Sequence, residues 1–208
     1  MPHRTRIKIC GITRVEDALA AVEHGADAIG LVFYPKSPRN LSIEHARAIA
    51  RELPPFVSIV GLFVNEERAN VRRTVEALPL QLLQFHGEES EADCADFGLP
   101  YIKAARVRPG LDLLEYAGLF PSAQGLLLDA FVEGYGGSGQ IFDWSLIPRR
   151  LPLPLILSGG LSASNVASAV RAIRPWAVDC SSGVERGPGL KDAQRIADFI
   201  AEVRNGEI

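Results

Sequence analysis

Cysteine is scarce and widely spaced: Cys10, Cys94 and Cys180 are the only three in 208 residues. There is no CxxC pair and no Cys/His cluster at metal-ligand spacing, which leaves neither a disulfide framework nor a thiolate metal site. Each cysteine reads first as a small buried hydrophobe, in a reducing compartment. No run approaches the roughly 18 apolar residues of a membrane span. The opening MPHRTRIKIC lacks the apolar stretch of a signal peptide, so the expected location is the cytoplasm. A basic excess is also missing. The formal net charge of −3 excludes the basic face of a nucleic-acid binder but is compatible with a local phosphate pocket. No linker, low-complexity run or charge block divides the chain, which predicts one domain over 1–208.

What is present is alternation. Short apolar runs at Arg6–Cys10, Ala28–Phe33, Val57–Val64, Leu80–Phe85, Tyr101–Arg106, Gly125–Asp129, Leu153–Ser158 and Trp176–Cys180 read as strands. Most are continuously apolar, as strands covered on both faces of a parallel sheet are. Amphipathic patterns lie between them: Val15, Leu19 and Val22; Val71, Val75 and Leu78; Val166, Val170 and Ile173; Ile196, Ile200 and Val203. Thr13 with Glu16 reads as a capping box, Ser162 as an N-cap, and Asp143 as the cap of a sixth helix. A helix over Pro109–Phe120 is a weaker reading. Strand–helix alternation admits a doubly wound open sheet or a closed barrel. The first turn, Cys10-Gly11-Ile12-Thr13, has no GxGxxG, and eight units in this length favour a single (β/α)8 TIM barrel.

In such a barrel, chemistry gathers where the strands end. The glycine-rich turns Ser158-Gly159-Gly160 and Ser181-Ser182-Gly183 suit a phosphate, because glycine lets backbone N–H groups approach an anion. Cys10 reads either as core or as a base, its thiol lowered by Lys8 two residues earlier on the same strand face. Asp129 is a turn carboxylate or a general acid. Arg39 is a surface arginine or a bidentate grip for a carboxylate. His86 reads as satisfying a local hydrogen bond. No metal or cofactor is expected.

Taken in order, these residues resemble a known family. Lys8-Ile9-Cys10-Gly11-Ile12-Thr13, Gly30-Leu31-Val32-Phe33 with Ser37-Pro38-Arg39, and Val60-Gly61-Leu62-Phe63-Val64-Asn65 resemble motifs of phosphoribosylanthranilate isomerases. So do Leu83-Gln84-Phe85-His86-Gly87, Leu128-Asp129, Gly136-Gly137-Ser138-Gly139, Phe142-Asp143-Trp144, Ser158-Gly159-Gly160-Leu161 and Asp179-Cys180-Ser181-Ser182-Gly183-Val184-Glu185. The resemblance spans Lys8 to Asp192. It implies a cofactor-free Amadori rearrangement of N-(5-phosphoribosyl)anthranilate to 1-(2-carboxyphenylamino)-1-deoxyribulose 5-phosphate, in tryptophan biosynthesis. It further implies Cys10 as general base, Asp129 as general acid and Arg39 on the anthranilate carboxylate. The phosphate would sit on donors around Gly159, Gly160, Ser181, Ser182 and Gly183. The implied partner is this small phosphosugar, with no nucleic acid, membrane or obligatory protein partner.

Two positions depart from the family pattern. Gln140-Ile141 stands where many members carry Lys with Thr or Val, and Cys180 stands where an aliphatic residue is expected. The second departure raises an oxidative Cys10–Cys180 coupling as an expectation. The glycine-rich segment 130–140 reads as a lid over the site. Two other functions remain open: the histidine-pathway isomerase, which would need an aspartate at the end of strand one and a second phosphate loop, and a non-catalytic phosphosugar-binding barrel.

Overall fold

The computed structural model describes residues 4–130 and 142–208. Strands β1 (Arg6–Cys10), β2 (Ala28–Val32), β3 (Ser58–Phe63), β4 (Leu82–Phe85), β5 (Tyr101–Val107), β6 (Gly125–Ala130), β7 (Leu155–Leu157) and β8 (Ala177–Cys180) pair in sequence order and close into a parallel barrel. Closure is direct, with Lys8 opposite Asp179 and Ile9 opposite Cys180. Helices α1 (Val15–Glu23), α2 (Ile43–Glu52), α3 (Arg68–Ala77), α4 (Glu91–Cys94) and α5 (Leu113–Gly118) follow β1 to β5, and α6 (Val166–Ile173) and α7 (Ala193–Gly206) follow β7 and β8. All eight expected strands form, their ends shifted by a few residues at most. No helix among the described residues is long and apolar enough to cross a membrane.

Strand alternation sorts the side chains into two cores. Ile7, Ile9, Ile29, Leu31, Leu126, Leu128, Val178 and Cys180 pack outward with the helices in the larger cluster. Ile102, Ala104, Leu127, Ile156 and Ala177 form a separate cluster that fills the barrel. Farther along the strands, Cys10, Val32, Leu62 and Val64 form a third cluster at the mouth. The inward parity therefore runs Ile102–Ala104 on β5, Leu127–Asp129 on β6 and Ala177–Asp179 on β8. It carries the residues one step past each strand into the mouth, where the site lies.

The helix faces differ from expectation in detail. On α1 the fully buried residues are Asp17, Ala18 and Ala21, while Val15, Leu19 and Val22 are half-buried. Alanines let the helix sit close to the barrel, and the larger side chains flank the contact. The Thr13–Glu16 capping box does not form: Arg14 is the N-cap, with no side-chain cap bond. The Thr13 hydroxyl donates instead to the carbonyl of Gly189. Ser162 is likewise displaced, because Asn165 is the N-cap of α6. The Asn165 amide accepts from Ser162 N at 2.9 Å and donates to Gly160 O at 2.9 Å, so it braces the turn after β7. Asp143 does cap, accepting from Ser145 N at 2.9 Å, but the element it starts is a 3-10 turn, Trp144–Leu146. The expected helix over 109–120 shortens to α5, capped by Asp112.

Candidate active site

A cleft of about 700 Å³ opens at the C-terminal ends of the strands. Its lining includes Cys10, Arg39, Asp129, Gly159, Gly160, Ser181 and Ser182, and so gathers seven of the eight expected site residues. Gly183 is not on the surface of the cleft. A Cβ there would stand 1.9 Å from the Leu161 carbonyl oxygen, so this glycine lets the turn after β8 pack onto the turn after β7. Gly159 is constrained as well. Its φ is 82°, and a Cβ would meet Ala130 N at 2.6 Å and Asp129 Oδ1 at 2.9 Å, crowding the acid.

The backbone N–H groups of Gly160, Ser181 and Ser182 have no acceptor among the described residues. Three free donors on residues that line one cleft suit an anion. Behind them Lys191 donates to the Ser181 carbonyl at 3.0 Å and adds positive charge.

Cys10 is buried, 4% exposed, and faces the mouth. Lys8 lies on the same face, as its spacing requires, and bonds Asp179 Oδ1 at 2.8 Å. The expected lowering of the thiol does not follow. Burial pushes the Cys10 thiol up, Lys8 pulls it down, and Asp179 opposes Lys8; the net direction is up. For Lys8 itself burial favours the neutral amine, but Asp179 and Cys10 outweigh it and hold the cation. In the unliganded site Cys10 is therefore a thiol at neutral pH. Iodoacetamide should label Cys10 slowly there and much faster above about pH 8.5, the ordinary thiol value, by peptide-resolved mass spectrometry. Complete labelling at neutral pH with no alkaline acceleration contradicts this reading.

Cys180 offers no partner for Cys10. It is the neighbour in register of Ile9, so its side chain packs outward while Cys10 packs inward. The Cys180 Sγ donates to Leu161 O at 3.2 Å, and burial pushes its thiol up to about 12. The oxidative coupling expectation fails on strand parity.

Arg39 is buried at the rim, and its guanidinium is already gripped. Nε and Nη2 each reach Glu185 oxygens at 2.7 Å. The bidentate edge expected to hold a ligand carboxylate is thus taken, which leaves Nη1 and the charge. Glu185 also accepts from Lys191 Nζ at 2.8 Å and from Gly189 N at 3.3 Å. Burial alone would raise the Glu185 carboxyl, but the Arg39 bond and Lys191 outweigh it and hold it below the usual carboxylate range. Burial pulls Lys191 below an ordinary lysine. Glu185 opens the hairpin β9 (Glu185–Gly187) and β10 (Leu190–Lys191), so one carboxylate ties the loop after β2 to the loop after β8.

Asp129 presents Oδ2 to His86 Nε2 at 3.1 Å and takes Ala130 N on Oδ1 at 2.9 Å. Gln84 Nε2 lies 3.0 Å from His86 Nδ1. His86 thus has a contact with Asp129 on β6 besides the local one with Gln84. Gln84, His86, Asp179 and Ser158 line the cleft and were not among the expected site residues. Inward strand parity, which puts Gln84 and His86 two residues apart on one face, is the signal that finds them. No metal-binding cluster of His, Cys, Asp or Glu exists among the described residues. The expected lid over 130–140, the glycines 136–139 and the Gln140-Ile141 departure lie outside the described residues, save for Ala130 at the end of β6.

Comparison with known proteins places this site in context. The family model for N-(5′-phosphoribosyl)anthranilate (PRA) isomerase matches residues 7–202. The N-(5′-phosphoribosyl)anthranilate isomerase of Dechloromonas aromatica is 62% identical over 204 residues, covering 98% of this chain and 98% of its own. A crystal structure of phosphoribosyl anthranilate isomerase from Thermotoga maritima is 47% identical with a TM-score of 0.88, over 97% of this chain and 99% of its own. Another phosphoribosyl anthranilate isomerase, solved in complex with reduced 1-(O-carboxyphenylamino)-1-deoxyribulose 5-phosphate, is 45% identical with a TM-score of 0.84, over 97% and 99% of the two chains.

Proposed function

This chain belongs to the N-(5′-phosphoribosyl)anthranilate isomerase family, and from that premise we propose a division of acid and base work between Asp129 and Cys10. The protein is an isomerase of tryptophan biosynthesis acting on N-(5′-phosphoribosyl)anthranilate. The observation that carries the residue assignment is the shared cleft, with one carboxyl group from β6 and one thiol from β1 facing a common cavity between an anion cradle and an arginine.

The phosphate rests on the N–H groups of Gly160, Ser181 and Ser182, while Gly159 and Gly183 give the backbone its shape. The anthranilate carboxylate meets Nη1 of Arg39, whose other edge is pinned by Glu185. Anchors at both ends hold the ribose between acid and base and remove orientational freedom before reaction. Asp129 protonates the ring oxygen, the C1′–O bond breaks, and an open-chain iminium forms. That cation acidifies the C2′ hydrogen, and its charge beside the sulfur favours the thiolate of Cys10. Cys10 takes the C2′ proton, leaving an enolamine. Protonation at C1′ and loss of the C2′ hydroxyl proton give the ketose. Each transfer by a positioned group contributes a rate factor of about 10² to 10⁴.

A cytoplasmic location is part of the same proposal, supported by the three free cysteines. A single domain over 1–208 is also part of it. The test is the decay of phosphoribosylanthranilate fluorescence on adding purified protein, with the histidine-pathway bis-phosphorylated substrate run in parallel. Turnover of the first and none of the second is expected. No turnover of the first by folded protein, with phosphate-dependent binding retained, would favour the non-catalytic barrel.

A further inference from the structure

An acid must hold a proton, yet both described contacts of Asp129 come from donors or a ring nitrogen. Ala130 N donates to Oδ1 at 2.9 Å, and His86 Nε2 stands 3.1 Å from Oδ2. Donors stabilise a carboxylate, which is the form with nothing to give. The difficulty disappears if the donor on Oδ2 is itself the source of the proton.

Gln84 bears on that source. It is fully buried, its Nε2 lies 3.0 Å from His86 Nδ1, and its Oε1 has no partner. A carboxamide fits the same space with either end forward. Turned half round, it brings the orphaned Oε1 to His86 Nδ1, where it can accept only from an N–H. That fixes the hydrogen on Nδ1, and where Asp129 is the carboxylate its Oδ2 calls for a second hydrogen on Nε2, so that the Nε2–H faces it. Ser158 and Asp179, the other polar residues on this part of the lining, are engaged with Lys8 and with each other, so they do not compete for His86.

We propose that His86, keyed by Gln84, is a positioning residue that shares the catalytic proton with Asp129, so that the acid of this enzyme is the His86–Asp129 pair. The inference rests on the reading of Asp129 as acid. The Nε2–H proton passes to Oδ2 and on from the carboxyl group to the ring oxygen, one proton in all, and the pair is left as neutral imidazole and carboxylate. The O–H bond formed on the sugar balances the N–H bond broken on the ring. The proton later lost from the C2′ hydroxyl returns to the pair through solvent.

The experiment is the pH dependence of kcat/KM, which reports the free enzyme, for wild type, His86→Gln and Gln84→Glu, with kcat and KM read alongside. Because burial raises the Cys10 thiol in the free site, the active form combines a protonated pair with a thiolate, and the lower break in log kcat/KM marks the pair. His86→Gln keeps a donor but no titrating proton. The lower break should fall by about one pH unit or more, and kcat at neutral pH by about tenfold or more, with KM held within about threefold. Gln84→Glu puts a carboxylate beside Nδ1, holds the imidazolium more tightly and should move the same break upward. Breaks that stay in place in both variants overturn the proposal, whatever activity is lost. If His86→Gln does not fold, the upward movement in Gln84→Glu decides alone. Asp129→Asn, assayed alongside, separates the two readings. If it is active, the acid assignment fails; if it is inactive while the breaks stay fixed, only the pairing fails.

Discussion

Asp129→Asn is expected to lower kcat by about three orders of magnitude while leaving the protein folded and its affinity for a product analogue within about threefold. The substitution is nearly isosteric, and the amide oxygen can still accept from Ala130 N where Oδ1 does now. What it removes is the transferable proton. The loss belongs in kcat because the substitution leaves the anchors on phosphate and carboxylate in place, and these hold ground state and transition state alike. Circular dichroism and a binding titration check the fold and the anchors. A kcat within about tenfold of wild type would move the acid elsewhere in the cleft.

The second large effect is on stability. Glu185→Ala strips one buried carboxylate from two buried cations, Arg39 and Lys191, and from Gly189 N. Removing one partner of a buried ion pair costs about 3–5 kcal/mol, because the charges left behind stay desolvated. At about 2–4 °C per kcal/mol for a chain of this size, Tm should fall by roughly 10 °C. The sign with pH is fixed as well. The folded Glu185 carboxyl sits below its unfolded value, so its stabilisation is complete at neutral pH and is lost as pH falls through the folded value. The gap between wild type and variant should narrow in acid. Thermal unfolding at neutral and acid pH measures both. A Tm unchanged at neutral pH would mean that the Arg39–Glu185–Lys191 cluster gives no net stabilisation. The same variant releases Arg39 from its fixed geometry, so KM should rise more than kcat falls.

Much of this arrangement is legible in the sequence, for a definite reason. Strands covered on both faces are continuously apolar, and eight such runs survive inspection with only small errors at their ends. Once the strands are drawn, period-two alternation carries Cys10, His86, Asp129, Ser158 and Ser181 into one mouth without any knowledge of distance. Where the reading fails, a partner distant in sequence has displaced a local one. Thr13 looks like half of a capping box, but its hydroxyl is taken by Gly189, 176 residues away. Arg39 looks free to grip a ligand, but Glu185 holds it from 146 residues away. Lys8 does pull the Cys10 thiol down, but burial outweighs it, and closure of the barrel adds Asp179 against it on the Lys8 ammonium. The contact of His86 with Asp129 is hidden for the same reason, since it forms only when β4 and β6 share the barrel mouth. Local pattern sets the elements; pairs across the barrel set the chemistry.

The division of labour between Asp129 and Cys10 is tested most directly by trapping the open-chain iminium. Phosphoribosylanthranilate would be mixed with excess wild type, Cys10→Ala or Asp129→Asn, quenched with cyanoborohydride near neutral pH, which reduces an iminium and spares a ketone, and the products counted against an enzyme-free blank. With Cys10→Ala the ring still opens but the C2′ proton stays, so the account requires the reduced open-chain amine above the blank and no ketose. Asp129→Asn should give neither above the blank, and wild type should give ketose. Ketose formed by Cys10→Ala at the wild-type rate, or an open-chain product from Asp129→Asn that matches Cys10→Ala, would contradict the assignment of base and acid.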